Sequence, residues 1–136
     1  MKRKTKTSKK MTETQLLERE CHDLWSKCVR ERDNHICRFC GTEHVDKATT
    51  MSGHHIRTKR NHPYTRYMIE NGLCLCFRCH SGEKYQHERF MDEIINVIGQ
   101  PEYDRLKEIS STNIKYSISD LEEIKRRLTE ELRHLQ

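Results

Sequence analysis

The sequence predicts an α+β fold: a small, internally cross-linked hairpin-and-helix core flanked by an N-terminal helix and two or three C-terminal helices. Only 33% of the 136 residues are hydrophobic and 35% are charged, which argues against one large apolar core. Two CxxC pairs bracket residues 37–79, and apolar stripes of helical period occupy both ends of the chain. We expect one domain over residues 12–136, with the core at about 35–85 and the C-terminal helices at about 86–136.

Residues 1–11 predict a basic disordered arm. Residues 1–10 hold six Lys or Arg residues and no acid, so residues 11–136 are close to neutral within a net charge of +5. Such an arm either follows nucleic-acid phosphates without reading sequence or is a solvated tail.

A first helix is predicted from Thr12 to Arg32. Its apolar residues recur in steps of four, three and four, which is one face of a helix: Leu17, Cys21, Leu24 and Cys28. Cys21 and Cys28 on this face are expected to be small core residues rather than metal ligands.

The two CxxC pairs predict a structural zinc site. Cys37 and Cys40 form one pair, Cys76 and Cys79 the other, and together they supply the four thiolates of a closed tetrahedral zinc site. The alternative is that one pair is incidental or redox-active. Cys74 is expected to fill the core, although alternation along a strand would also allow it to be a fifth thiol near the metal.

The chain between and after these pairs predicts a hairpin and then helices. Strands are expected at Met51–Thr58 and Leu73–Cys76, joined by a basic connection over residues 59–70. A helix at about Lys84–Ile98 should end at Gly99, and a short one should follow at about Glu102–Ile109.

The last helix is predicted to open with a capping box at Ser119 and Glu122. Its apolar face, which includes Leu121, Leu128 and Leu135, needs cover. Either the first helix or a second subunit would provide it.

Three histidines and an asparagine between the pairs predict hydrolytic chemistry. They are His54, His55, Asn71 and His80. Phosphodiester hydrolysis needs a base to activate water and a cation to stabilise the charge on the phosphate and leaving oxygen. On a regular strand His54 and His55 point to opposite faces, whereas His80 can face back across the hairpin.

The order His-His-Ile, then Asn-x4-Cys-x2-Cys-His-x3-Lys, resembles the HNH (ββα-metal) endonucleases whose core is stapled by a zinc ion on four cysteines. The stretches GHHIRT, VIGQPEYDRL and ISDLEEIKRRLTEEL also resemble the phage NinG/Rap recombination-nuclease family, over about residues 20–136. By this resemblance His54 is the first ligand of a catalytic metal, His55 the general base, Asn71 the residue that orients the base, and His80 the second ligand. Which of His54 and His55 binds the metal and which takes the proton stays open.

The predicted function is a metal-dependent DNA endonuclease that acts on double-stranded, branched or recombination-intermediate DNA in phage recombination. The expected cofactors are structural Zn²⁺ and catalytic Mg²⁺ or Mn²⁺. DNA contacts are expected from five basic residues: Arg57, Lys59, Arg60, Arg66 and Lys84.

The alternative is a non-catalytic zinc-containing protein that binds DNA as a recombination accessory factor. A homodimer through the terminal helices is a further possibility. The sequence has no apolar stretch typical of a signal peptide or membrane span, so we expect the protein in the cytoplasm of the host cell, without a membrane partner.

Overall fold

The computed structural model describes residues 9–43 and 50–136 and confirms the predicted α+β class. Residues 1–8, most of the predicted arm, lie outside the described residues. The described chain forms α1 (Glu13–Arg32), β1 (Met51–His55), two 3₁₀ turns (Pro63–Thr65 and Ile69–Asn71), β2 (Gly72–Cys76), α2 (Phe77–Tyr85), α3 (His87–Ile98), α4 (Gln100–Ile109) and α5 (Ile118–Leu135). No described helix has the length and apolar character that crossing a membrane requires.

The two strands form an antiparallel hairpin whose pairs run from Met51 with Cys76 to His55 with Gly72. The first strand ends three residues before the predicted Thr58. After Ile56, whose amide donates to the Asn71 carbonyl, the side chain of Asn71 takes over as the partner of the Arg57 backbone. The Asn71 side chain thus replaces the backbone hydrogen bonds between the strands at Arg57.

The first helix begins after Thr12, which forms a capping box with Gln15. The buried thiol of Cys21 donates to the Leu121 carbonyl, and that of Cys28 donates to the Leu128 carbonyl. These contacts confirm that both cysteines are core residues of an α1–α5 pair. They also identify α1 as the cover for α5 within the chain, while the homodimer stays a prediction.

The C-terminal half departs from the predicted boundaries in three places. The helix expected at Lys84–Ile98 begins later, as α3 at His87, because the backbone of Gln86 is not helical; it ends at Ile98 as predicted, and α2 precedes it directly after β2. The next helix begins at Gln100 rather than Glu102, with Pro101 in its first turn, where its missing N–H costs nothing. The capping box of α5 is formed by Ser117 with Asp120, not by Ser119 with Glu122, because the helix begins at Ile118.

The hairpin lies between two apolar clusters of the described residues. The helix-pair cluster joins α1 and α5 and contains Cys21, Trp25, Cys28, Val29, Tyr67, Leu121 and Leu128. The thiol-side cluster joins the hairpin to α3 and α4 and contains Cys37, Met51, Ile56, Leu73, Cys74, Leu75, Cys76, Phe90, Ile94 and Leu106. The hairpin therefore borders both cores.

Candidate functional site

Four thiols converge at one end of the hairpin, as the two CxxC pairs predicted. The Sγ atoms of Cys37, Cys40, Cys76 and Cys79 all lie within 4.8 Å of one another, and those of Cys40 and Cys76 are 3.7 Å apart. A tetrahedral zinc ion with Zn–S bonds of about 2.3 Å places its sulfurs about 3.8 Å apart. The four thiols thus fit a zinc ion in number, chemistry and spacing.

Local backbone geometry forms each half of the cluster. The first pair lies in a tight turn in which the Cys37 amide donates to the Thr42 carbonyl and the Gly41 amide donates to the Cys37 carbonyl. Gly41 has φ of +74°, a conformation that favours glycine. The second pair spans the junction of β2 and α2, and the Arg38 amide donates to the Cys74 carbonyl, which fixes the turn to the hairpin.

The four thiols also shift one another's pKa values. Burial and the neighbouring thiols raise the pKa of Cys79. Burial also acts to raise the pKa of Cys40, but hydrogen bonds from Thr42, Cys37 and Cys76 outweigh it and lower that pKa to about 6. Because four thiolates at this distance repel one another, a bound dication would stabilise their shared charge.

Cys74 lies outside this group, in the thiol-side cluster. Its side chain is fully buried, and burial followed by the charge of Asp33 raises its pKa to about 12. Its thiol is not one of the four that converge, in agreement with the prediction that Cys74 fills the core.

His54 and His80 meet on the face of the hairpin that packs against Phe90. Their ring centroids are 4.9 Å apart, and the ring of Phe90 lies 4.9 Å from that of His54. His54 is 7% exposed, whereas His80 is exposed on α2. Burial, and then the charges of His80 and His55, lower the pKa of His54 to about 3, so its imidazole is neutral near pH 7 and able to bind a metal.

His55 points to the opposite face, towards α1. Its ring stacks on Trp25 at 3.8 Å between centroids with 8° between planes, and its Nε2 lies 2.9 Å from the Arg66 carbonyl oxygen. Because a carbonyl only accepts, Nε2 carries the hydrogen and Nδ1 carries the lone pair. Burial lowers the pKa of His55 to about 4, although the hydrogen bond to Arg66 opposes this shift.

Asn71 holds the loop that contacts His55. Its side chain is fully buried; Oδ1 accepts from the Arg57 amide at 2.8 Å, and Nδ2 donates to the carbonyls of Arg57 at 3.0 Å and Thr65 at 3.1 Å. Thr65 directly precedes Arg66, whose carbonyl binds His55. Asn71 therefore acts on His55 through the backbone of the loop.

Trp25 is a residue of this site to which the sequence analysis gave no role. It lies flat against His55 because Gly72, opposite His55 in the hairpin, leaves room: a Cβ on Gly72 would lie 2.6 Å from Trp25 Cζ2. The Trp25 Nε1 donates to the Met68 carbonyl at 2.8 Å, which fixes the indole. The available sequence signal was Gly72, the small residue after Asn71, but no pattern in the sequence indicated that Gly72 packs against α1.

The five basic residues expected to contact DNA have different surroundings. The Arg57 guanidinium is held inside the fold by Ser110, Tyr103 and His62. Lys59 and Arg60 are exposed, and Arg66 is half-buried over the ring of Tyr67. The side chain of Lys84 lies outside the described part of the structure.

A family model described as "Bacteriophage Lambda NinG protein" matches residues 1–136. No curated protein and no solved structure matches the chain.

Proposed function

The chain belongs to the bacteriophage lambda NinG protein family, and from this premise we propose that it is an HNH endonuclease that hydrolyses phosphodiester bonds in DNA. We take its substrate to be branched or recombination-intermediate DNA and its core to be a zinc-stapled ββα unit formed by β1, β2 and α2. The observation that carries the proposal is the pairing of His54 with His80, together with a neutral His55 of fixed tautomer at the next position of β1.

His55 is the proposed general base. Its Nδ1 would take a proton from the attacking water, while the hydrogen bond from Nε2 to Arg66 keeps the tautomer and the ring orientation. The Trp25 stack limits rotation of the ring from the other side. Asn71 is a positioning residue that fixes the loop carrying the Arg66 carbonyl.

His54 and His80 would hold the catalytic cation. Two neutral imidazoles are softer donors than the oxygen ligands that Mg²⁺ prefers, so of the two expected cations the pair favours Mn²⁺. When bound, the cation would supply positive charge to the scissile phosphate and the leaving oxygen. Exposed Lys59 and Arg60 are the basic residues best placed to bind the backbone phosphates without selecting sequence.

The test is nicking of plasmid and branched DNA in Mg²⁺ and Mn²⁺. His55→Ala and His80→Ala should each lower the rate at least about 100-fold, the usual contribution of a general base or a metal site. His80 is the better metal-site variant because it is exposed, whereas removing buried His54 would also perturb packing. His134→Ala, an exposed histidine on α5, is the matched control and should cut like the wild type.

Circular dichroism of each variant would separate lost chemistry from lost folding. Undiminished nicking by His55→Ala would rule out its role as the base. DNA binding without cleavage by the wild type in Mg²⁺, Mn²⁺, Co²⁺ and Ni²⁺ would instead favour the non-catalytic accessory function.

A further inference from the structure

Phe77 is the most exposed large apolar side chain in the described residues, with 74% of its surface accessible. The other two phenylalanines pack in the thiol-side cluster, where the rings of Phe39 and Phe90 meet edge to face at 5.1 Å. An accessible phenyl ring forgoes the stabilisation that its burial would bring, so the fold gains nothing from this ring.

The position of Phe77 is fixed although its side chain is exposed. It is the first residue of α2 and lies between Cys76 and Cys79, two of the four cysteines whose thiols converge. Its amide donates to the Thr50 carbonyl at 3.2 Å, which joins the start of α2 to the start of β1. The ring is therefore displayed from anchored backbone rather than from a loose loop.

The same helix face carries His80. Residues three apart on a helix are neighbours, so Phe77 and His80 lie side by side, and both are exposed. Arg78, the next residue of α2, is also exposed and carries a positive charge. An exposed phenyl ring thus lies within one helical turn of the histidine pair.

We propose that Phe77 stacks on an unpaired DNA base next to the scissile phosphate and so selects DNA with unstacked bases. This inference rests on the proposed function. Stacking on an aromatic side chain is available to any base, but bases inside an intact duplex are already stacked on their neighbours. An exposed ring beside the cutting site therefore favours forks, gaps and branch points over uninterrupted duplex, whereas phosphate contacts alone do not distinguish them.

The test measures binding rather than cleavage, in the His55→Ala background. Fluorescence anisotropy would compare a forked DNA with the fully paired duplex of the same sequence. Phe77→Ala should weaken binding to the fork about tenfold and binding to the duplex less than about twofold, because one stacked base is lost. Phe77→Trp should restore the preference, and Leu16→Ala, an exposed apolar residue on α1, is the matched control.

A 2-aminopurine at the unpaired position gives a second measurement. Its fluorescence should be quenched by the Phe77-containing protein and not by Phe77→Ala. Equal weakening on fork and duplex, or unchanged binding to both, would overturn the proposal, provided that circular dichroism shows an intact fold. Neither measurement requires cleavage. A negative result would therefore count against the stacking role of Phe77 and not against the nuclease assignment.

Discussion

The two faces of the β1–β2 hairpin are supported by different physical means. On the α1 face, glycines at positions 53 and 72 let the backbone lie against Trp25 and Ser26, and shape complementarity holds His55. On the other face, His54 packs against the rings of Phe90 and His80, and the thiol-side cluster joins the hairpin to α3 and α4. His54 and His55, adjacent in sequence, thus belong to differently supported faces.

This difference has a consequence for function. The end of the hairpin that carries Cys76 depends on a metal site, whereas the α1 face depends on close packing of a large indole. The proposed metal ligand and the proposed base can therefore be perturbed separately, although they are neighbours in the chain.

The largest expected effect comes from the thiol cluster. Cys76→Ser should abolish zinc binding and leave the protein largely unfolded, because structural zinc contributes about 10–16 kcal/mol in small domains and total stability is about 5–15 kcal/mol. Zinc content by mass spectrometry and helicity by circular dichroism would measure this. Cys74→Ala is the matched control: Cys74 lies outside the four-thiol group, so zinc should stay bound. A zinc-replete, fully folded Cys76→Ser protein would contradict the assignment.

The next effect is on the α1 face. Gly72→Ala would place a Cβ 2.6 Å from both Trp25 Cζ2 and Val29 Cγ2. Since these atoms lie in a packed core, we expect a loss of about 3 kcal/mol in the free energy of unfolding and slower cleavage as Trp25 moves from His55. Urea unfolding would measure the first and the nicking assay the second.

Gly53→Ala provides a graded comparison for Gly72→Ala. Its Cβ would meet Ser26 Cα and Oγ at 3.0 Å, a milder contact, so the loss should be smaller. Zinc content should stay unchanged in both variants. If Gly53→Ala were the more destabilising of the two, the close approach of α1 at Gly72 would not be what limits packing.

Asp33 joins the end of α1 to β2 and to the turn of the first CxxC pair, and it gives the third prediction. Its buried carboxylate accepts from Arg32, Arg38 and the Cys74 amide. Burial acts to raise its pKa, but the hydrogen bonds from Arg32 and Cys74 and the charges of Arg32 and Arg38 lower it below the usual value. Asp33→Asn should cost about 2 kcal/mol at pH 7 because it removes this charge while keeping an acceptor for the amide.

The sign of the pH dependence follows from the depressed pKa. The Asp33 contribution is fully present above the unfolded pKa of about 3.9 and is lost as the pH falls through the lower folded value. The difference in stability between wild type and Asp33→Asn, from urea titrations at stepped pH, should therefore shrink below about pH 4. A difference that grew on acidification would show that Asp33 is buried in its neutral form.

Local sequence patterns predicted much of this fold. The 3.6-residue stripe located α1 and its buried cysteines, the paired CxxC turns located the thiol cluster, and Gly99 marked the end of α3. Strand β1 was predicted too long because the group that ends its ladder is the side chain of Asn71, and a contact between a side chain and a distant backbone leaves no periodic pattern. The stack of Trp25 on His55 was missed for a related reason, since only the packing of α1 on Gly72 brings those two rings together.

The smallest expected effect tests whether the helix-pair cluster folds independently of the four thiols. Cys28→Ala removes a fully buried thiol that donates to the Leu128 carbonyl, so it should cost about 1 kcal/mol, typical of a small buried truncation. Lys27→Ala, exposed on the same helix, should cost almost nothing. Zinc content and nicking should match the wild type in both, since Cys28 lies in the helix-pair cluster and is not one of the four thiols that converge. A loss of zinc on Cys28→Ala would show instead that the helix-pair cluster and the thiol cluster fold as one unit, and the separation of the two hairpin faces would fail.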